Sequence, residues 1–449
     1  MRIRQSIVLV GTMMIFSVNI HAQWKSLFNG KDLSGWNQKN GKAIYKVENG
    51  EIVGTTVANT PNSFLCTNEE YGDFIFEVTL KVENVMNSGV QFRSLSTPDF
   101  ENGRVHGYQM EVDPTTRAWS GGIYDEARRG WLYIPSMNPE GQKAFKMGDW
   151  NKYRIEAIGN NIRTFINGIP VSHLVDDMTP KGLIALQVHA IYGDMKEGMK
   201  IRWKDIRIQT QNIKPTPLDN IPVVNLLLNN ISPQEEKLGV KLLFNGKNFD
   251  GWREVHGTSQ PNKRWKIEEG ILSVGKSDGS ETGNDIVTTE QYGAFELSFD
   301  FKMSPGANSG IKYFVDEQYD SGGKSGIGLE FQILDNELHP DAKMGVVGNR
   351  TLSSLYDLIP ATPLDKRFQS PMGEWNHGRV VVLPNNTVQH WLNGFKVVEY
   401  ERKSNIYKAL VARSKYEKYK GFGEADAGHI LLQDHGDNVS FKNIKIRKL

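Results

Sequence analysis

Apolar and polar residues alternate with a period of two across residues 74–81 and again across 295–302, where Glu, Thr, Ser, Asp or Lys punctuate the apolar positions. Alternation of this kind turns one face of a strand to a core and the other to water. Short runs of the same type recur between Asn-Gly and Gly-rich turns, and the segments IRWKDIRI and VSFKNIKI alternate throughout. Apolar helical patterns do not intervene between these strands, which argues against an α/β fold. The pattern predicts an all-β protein.

The chain also says the same thing twice. LFNGKDLSGW from Leu27 returns as LFNGKNFDGW from Leu243, YGDF from Tyr71 as YGAF from Tyr292, and NSGVQF from Asn87 as NSGIKY from Asn308. GLIALQVH from Gly182 returns, in the same order, as GHILLQDH from Gly428. Two divergent copies of one domain explain this, each predicted to be a two-sheet, jelly-roll-like β-sandwich. The offset between matched motifs grows from 216 residues at the start to 246 near the ends, so the second copy gained loops. The largest gain falls on residues 404–423, a Lys-, Tyr- and Gly-rich candidate for a rim loop or lid. The connector holds Pro215, Pro217, Pro222 and Pro233, and Ser232-Pro233 followed by Glu235 suits the cap of a short helical turn. The division is therefore residues 23–224 for the first copy with its connector and 225–449 for the second.

Residues 1–22 stand apart from both copies. Arg2 and Arg4 precede an apolar run from Ile7 to Ile20, and Ala22 supplies a small residue before a cleavage point at Gln23, the order of a signal peptide; no later stretch is long enough to span a membrane. The expectation is an exported protein, periplasmic or extracellular, without integral membrane association. Removal of that segment leaves 51 Lys and Arg against 52 Asp and Glu, a balance with no concentrated positive surface for a nucleic acid backbone. Cys66 is the lone cysteine, so no internal disulfide forms and core packing is its expected role.

Strand phase selects the candidate chemistry. In HGYQMEVDP, Gln109, Glu111 and Asp113 point to one face while Tyr108, Met110 and Val112 point to the other. Such a polar row suits a polyhydroxylated ligand or proton transfer, although a solvated strand face reads the same way. The matching strand of copy two carries Glu330 and Gln332, the same pair in reversed order, with Leu334 in place of Asp113. Near each copy's end Gln187 and His189 share a face, as do Gln433 and His435. Histidine there can move a proton or supply a metal nitrogen. SGGIYDEARRGWL adds Tyr124, Arg129 and Trp131 as candidate sugar contacts, and its counterpart keeps Tyr356 and Arg350.

These pieces together resemble the 3-keto-disaccharide hydrolase domain family. The resemblance rests on LFNG-x-x-x-x-GW, the NSG turn, GYQMEVD with GGIYDEARRGW, and GLEFQILDNE with HPDAKMG, and spans nearly all of residues 23–449. It implies concanavalin-like sandwiches of the lectin or glucanase type and action on an oxidised disaccharide or glycoside. A 3-keto group acidifies the C2 proton, so a base can remove it, the C1 substituent can leave, and water can add afterwards. On that basis Glu111 or His189 is the expected base, Arg129 the oxyanion stabiliser and Asp113 the acid or orienter. The remaining candidates are substrate contacts. No cofactor is required, but Glu111, Asp113 and His189 also form a hard-ligand set for a divalent metal. A noncatalytic carbohydrate-binding protein and a conventional glycosidase are the rival readings, and the departure of each copy from the other leaves open which is catalytic.

Overall fold

A computed structural model describes residues 24–193, 196–261, 264–277, 284–319, 325–362 and 368–449; the predicted signal segment lies outside them. Each copy folds as two stacked sheets, antiparallel but for one short edge strand, and among the described residues these hold nine and seven strands in copy one and eight and five in copy two. The larger sheets share one strand order. In copy one it centres on Phe74–Val82 between Asn151–Ile158 and Lys200–Gln209; in copy two on Phe295–Met303 between Asn376–Val382 and Val439–Lys448. The smaller sheets also match. Leu183–Val188 lies between Ser63–Thr67 and Ser88–Ser94, as Gly428–Leu432 lies between Ile286–Tyr292 and Asn308–Val315.

The repeated opening motif has the same job in both copies. Trp36 Nε1 donates to the Leu27 carbonyl at 2.7 Å, and Trp252 Nε1 to the Leu243 carbonyl at 2.6 Å. Each indole thus closes the loop that precedes the first strand of the smaller sheet while its ring enters the core. The alternating segments behave as their period dictates. Phe74, Phe76, Val78 and Leu80 are fully buried in copy one's core, and Phe295, Leu297, Phe299 and Phe301 in copy two's. Cys66 packs in a satellite cluster with Phe64, Val105 and Ala185, where burial pushes its thiol up to about 12.

The connector is strapped to both copies. Val224–Asn225 adds a short parallel strand beside Ile169–Val175, whereas Asn229 exchanges two hydrogen bonds with Asn443 of copy two. Between them, Pro233–Lys237 is a helical turn closed by a capping box of Ser232 and Glu235. Glu235 also meets Asn225 at 2.6 Å and the buried Lys445 at 2.7 Å, so its carboxylate ties the connector to the last strand. Among the described residues, no helix is long and apolar enough to cross a membrane.

Candidate functional site

In each copy the smaller sheet has a second, polar face away from the core. The register builds it in copy one: Gln187 pairs with Gly89 and Gly89 with Glu111, while in the next row Ala185 pairs with Gln91, Gln91 with Gln109 and Gln109 with Tyr124. Tyr108, Met110 and Val112 enter the core, so Gln109 and Glu111 face the other way. Gly89 leaves room for this. A side chain there would put its Cβ 2.3 Å from Gln109 Cδ.

Glu111 is only 3% exposed and is held by amides. Asn87 donates to Oε1, and Gln109 Nε2 donates to Oε2 at 3.0 Å. Gln109 in turn accepts from Gln91 at 2.8 Å, and Gln91 from Ser94 at 2.6 Å. Burial pushes the Glu111 carboxyl up to about 7, although both amide donors oppose the shift. Gln187 is fully buried, and neither of its amide atoms has a hydrogen-bond partner among the described residues. A buried amide left unpaired is costly, so this face is built to meet a polar ligand or water.

The other candidates of copy one, Arg129 excepted, lie beside this group or at the strand ends. Trp131 packs edge-on against Tyr124 at 5.2 Å and Trp119 at 4.7 Å, with the Arg117 guanidinium 4.3 Å over Trp119. Asp113 follows the end of the strand and is committed to Thr115 and Arg117, each at 2.7 Å. His189 is half-buried and donates from Nδ1 to the Ala190 carbonyl at 2.7 Å. Arg129 is not brought to Glu111. It is ion-paired to Asp125 and Asp176, both at 2.6 Å, and Asp125 pairs with core-facing Tyr108, which places this cluster on the opposite side of the sheet. Copy two repeats the arrangement, with Arg350 held by Asp357 at 2.7 Å and Asp341 at 2.9 Å, and Tyr356 donating to Asp341.

Copy two turns the amide face into a charged one. In the same register, Lys312 stands where copy one has Gln91, Glu330 where it has Gln109, Gln332 where it has Glu111, and Asp285 where it has Phe64. A cavity of about 210 Å³ opens over this face, lined by Glu330, Lys312 and Gln433 and walled by Lys415, Tyr416 and Tyr419 from the inserted segment. Lys312 Nζ donates to the Gly326 carbonyl at 3.0 Å and lies 3.5 Å from Asp285. Burial holds the Glu330 carboxyl above the usual carboxylate range, against the pull of Lys312 and Lys415. Lys415 is exposed at the mouth, its ammonium 4.1 Å over the Tyr356 ring. Oε1 of Gln433 is buried without a partner among the described residues.

A polar chain runs from this carboxyl to the sheet's end. With its amide oriented to satisfy its neighbours, Gln332 donates to Glu330 Oε1 at 2.9 Å and sits 3.2 Å from the Asn308 amide, which lies 3.5 Å from His435 Nε2. Beyond it, His339, His435 and Asp437 bring their ligand atoms within 4.8 Å of one another. Among the described residues this is the group with metal-binding geometry, rather than Glu111, Asp113 and His189. Sequence reasoning missed Lys312, Asp285, Lys415, Asn87, Asn308, His339 and Asp437. The Gln-to-Lys exchange inside the repeated NSG motif was the legible signal for Lys312.

A curated 3-keto-disaccharide hydrolase of Bacteroides thetaiotaomicron is 37% identical over 234 residues, covering 47% of this chain and 79% of that protein. Two solved proteins of Parabacteroides distasonis, both assigned as glycosyl hydrolases, are 30% and 26% identical, with TM-scores of 0.44 and 0.35. They match 49% and 47% of this chain and 99% of their own chains. The 3-keto-alpha-glucoside-1,2-lyase-like domain matches twice, at residues 23–209 and 239–447. With both of its sandwiches matched in tandem, the chain belongs to the 3-keto-alpha-glucoside-1,2-lyase-like domain family.

Proposed function

We propose that this protein is an exported hydrolase or eliminating lyase acting on 3-keto glycosides, with its reaction centre in copy two. The observation that carries the reading is the cavity over Glu330, where a buried carboxyl of raised pKa meets Lys312 and a roof of Tyr416 and Tyr419. A carboxylate that resists ionisation is a stronger base once ionised. The proton it would remove is the one on C2, acidified by the neighbouring ketone. The electron pair from that C–H bond moves into the enolate, whose oxygen the Lys312 ammonium stabilises. Collapse of the enolate restores the ketone, forms a C1–C2 double bond and expels the oxygen at C1, which takes a proton from Lys415. Water then adds its hydroxyl to C1 and its proton to C2 for net hydrolysis, or the unsaturated ketosugar leaves as the lyase product.

Copy one supports a different role for its candidates. Gln109, Glu111, Gln187, Tyr124 and Trp131 offer amides, a carboxyl and aromatic edges, the usual means of holding a sugar ring. Two amides hold Glu111, and the Lys312–Asp285 pair that copy two places beside its carboxyl is replaced by Gln91 and Phe64. This face binds sugar without cleaving it, while Arg129 holds the sheet edge. Matched disaccharides, one oxidised at C3 and one not, test the reading by product analysis. The oxidised member should be cleaved at least about 1000-fold faster, since general-base catalysis has no acidic proton to act on in its parent. Cleavage of the unoxidised member alone would refute it, and saturable binding without cleavage of either would favour a binding protein.

A further inference from the structure

We propose that copy two binds one divalent transition-metal ion between His339, His435 and Asp437, at the end of the sheet that carries Glu330. The three ligand atoms lie within 4.8 Å of one another and come from two separate loops. His339 precedes the short helix Pro340–Lys343 after the strand Leu329–Leu334, and His435 and Asp437 sit between the strands Gly428–Leu432 and Val439–Lys448. Two imidazole nitrogens with one carboxylate oxygen favour a first-row transition metal over calcium or magnesium and leave coordination positions open.

Both loops are fixed mainly by residues other than the three ligands. Asp335 accepts from the Gly306, Glu337 and Leu338 amides at 2.8, 2.9 and 3.2 Å, and its carbonyl accepts from His339 N–H at 3.0 Å. Asp434, held by Arg264 at 2.6 and 2.8 Å, accepts from the Gly436 amide at 3.0 Å. One oxygen of Asp437 accepts from the Asn308 backbone N–H at 3.1 Å and the other remains for an ion. The two imidazoles stand edge to face with centroids 6.0 Å apart. On the ligand side, coordination through the rings would compete with two long contacts, the 3.2 Å hydrogen bond from Asp341 N–H to His339 Nδ1 and the 3.5 Å approach of the Asn308 side chain to His435 Nε2.

The repeat supplies an internal control. His189 of copy one matches His435, but Ile191 stands in the place of Asp437, and the loop after Gly107–Val112 reads DPTTRAWSGG with no histidine. The constellation therefore accompanies the charged cavity and is missing from the amide face. Asn308 joins the two, touching His435 on one side and Gln332, the neighbour of Glu330, on the other. An ion here would offer its open positions to oxygens of a sugar seated over Glu330, a role that rests on the ketosugar reading. The binding of the ion does not.

The test uses the untagged mature chain, freed of metal with a chelator and titrated with Co²⁺ while its visible d–d bands are followed. One ion per chain is expected. His339→Ala and His435→Ala should each weaken binding by more than about 100-fold with the far-ultraviolet circular dichroism unchanged, whereas His189→Ala should not. Absence of stoichiometric cobalt, or binding that survives the His339→Ala/His435→Ala pair, overturns the site. Metal-free protein should also cleave a 3-keto disaccharide at least about tenfold more slowly until the ion is restored. Cleavage unchanged by removal of the ion overturns its contact with substrate. If the wild type cleaves no ketosugar at all, the cobalt spectrum still decides whether the ion binds, so the two readings fail separately.

Discussion

Glu330→Gln is expected to lower kcat on a 3-keto disaccharide by about 1000-fold, within the range that a positioned general base contributes, while Glu111→Gln leaves kcat within a fewfold of wild type. The contrast follows from what surrounds each carboxyl. Glu330 lines a cavity and has Lys312 across the register, whereas Glu111 is clasped by Asn87 and Gln109. The Gln substitution keeps shape and the capacity to accept from Gln332, so loss of folding does not explain a loss of rate. The same assignment fixes a pH limb. The reaction needs the ionised carboxylate, and burial holds Glu330 above the usual range, so kcat should fall with decreasing pH at values above those of an exposed Glu. If Glu111→Gln abolishes cleavage and Glu330→Gln does not, the centre belongs in copy one.

Lys312→Gln, which writes copy one's residue into copy two, should lower kcat by about 100-fold and move the acidic limb of the profile to higher pH. Removal of one charge-stabilising donor at a developing oxyanion costs about that much. The direction of the limb follows from linkage between the two groups. The ammonium favours the charged form of Glu330, so without it the carboxyl takes up its proton at a higher pH. A lysine with a merely structural role, holding the Gly326 carbonyl and Asp285, would lower stability and move the limb but leave kcat on the high-pH plateau unchanged. Steady-state rates across pH, together with thermal denaturation of the same variant, separate the two.

Much of the fold was legible because its signals are local. Period-two alternation and the ordered repeats require no knowledge of distant contacts, and both survive as matched strand orders. Alternation likewise put Gln109 and Glu111 on one face, where the structure has them. It stopped being informative where strands end. Asp113 lies just past Val112 and is claimed by its own loop, and Arg129 sits on a turn whose direction depends on the partners Asp125 and Asp176. The charged row of copy two was hidden for another reason. Asp285, Lys312 and Glu330 meet only through the pairing of segments far apart in sequence, and the cavity exists only once residues 415–419 fold over them. His339 and Asp437 come from different loops, and no spacing rule joins them.

The central claim, removal of the C2 proton from an oxidised glycoside, is tested most directly by cleavage of a 3-keto disaccharide in heavy water with time-resolved analysis of the released ketosugar. Abstraction at C2 followed by return of a solvent proton predicts deuterium at C2 of that sugar, with a transient unsaturated ketosugar where elimination outruns hydration. Release of a ketosugar that carries no deuterium at C2 would contradict the account, since direct displacement at C1 leaves that bond untouched.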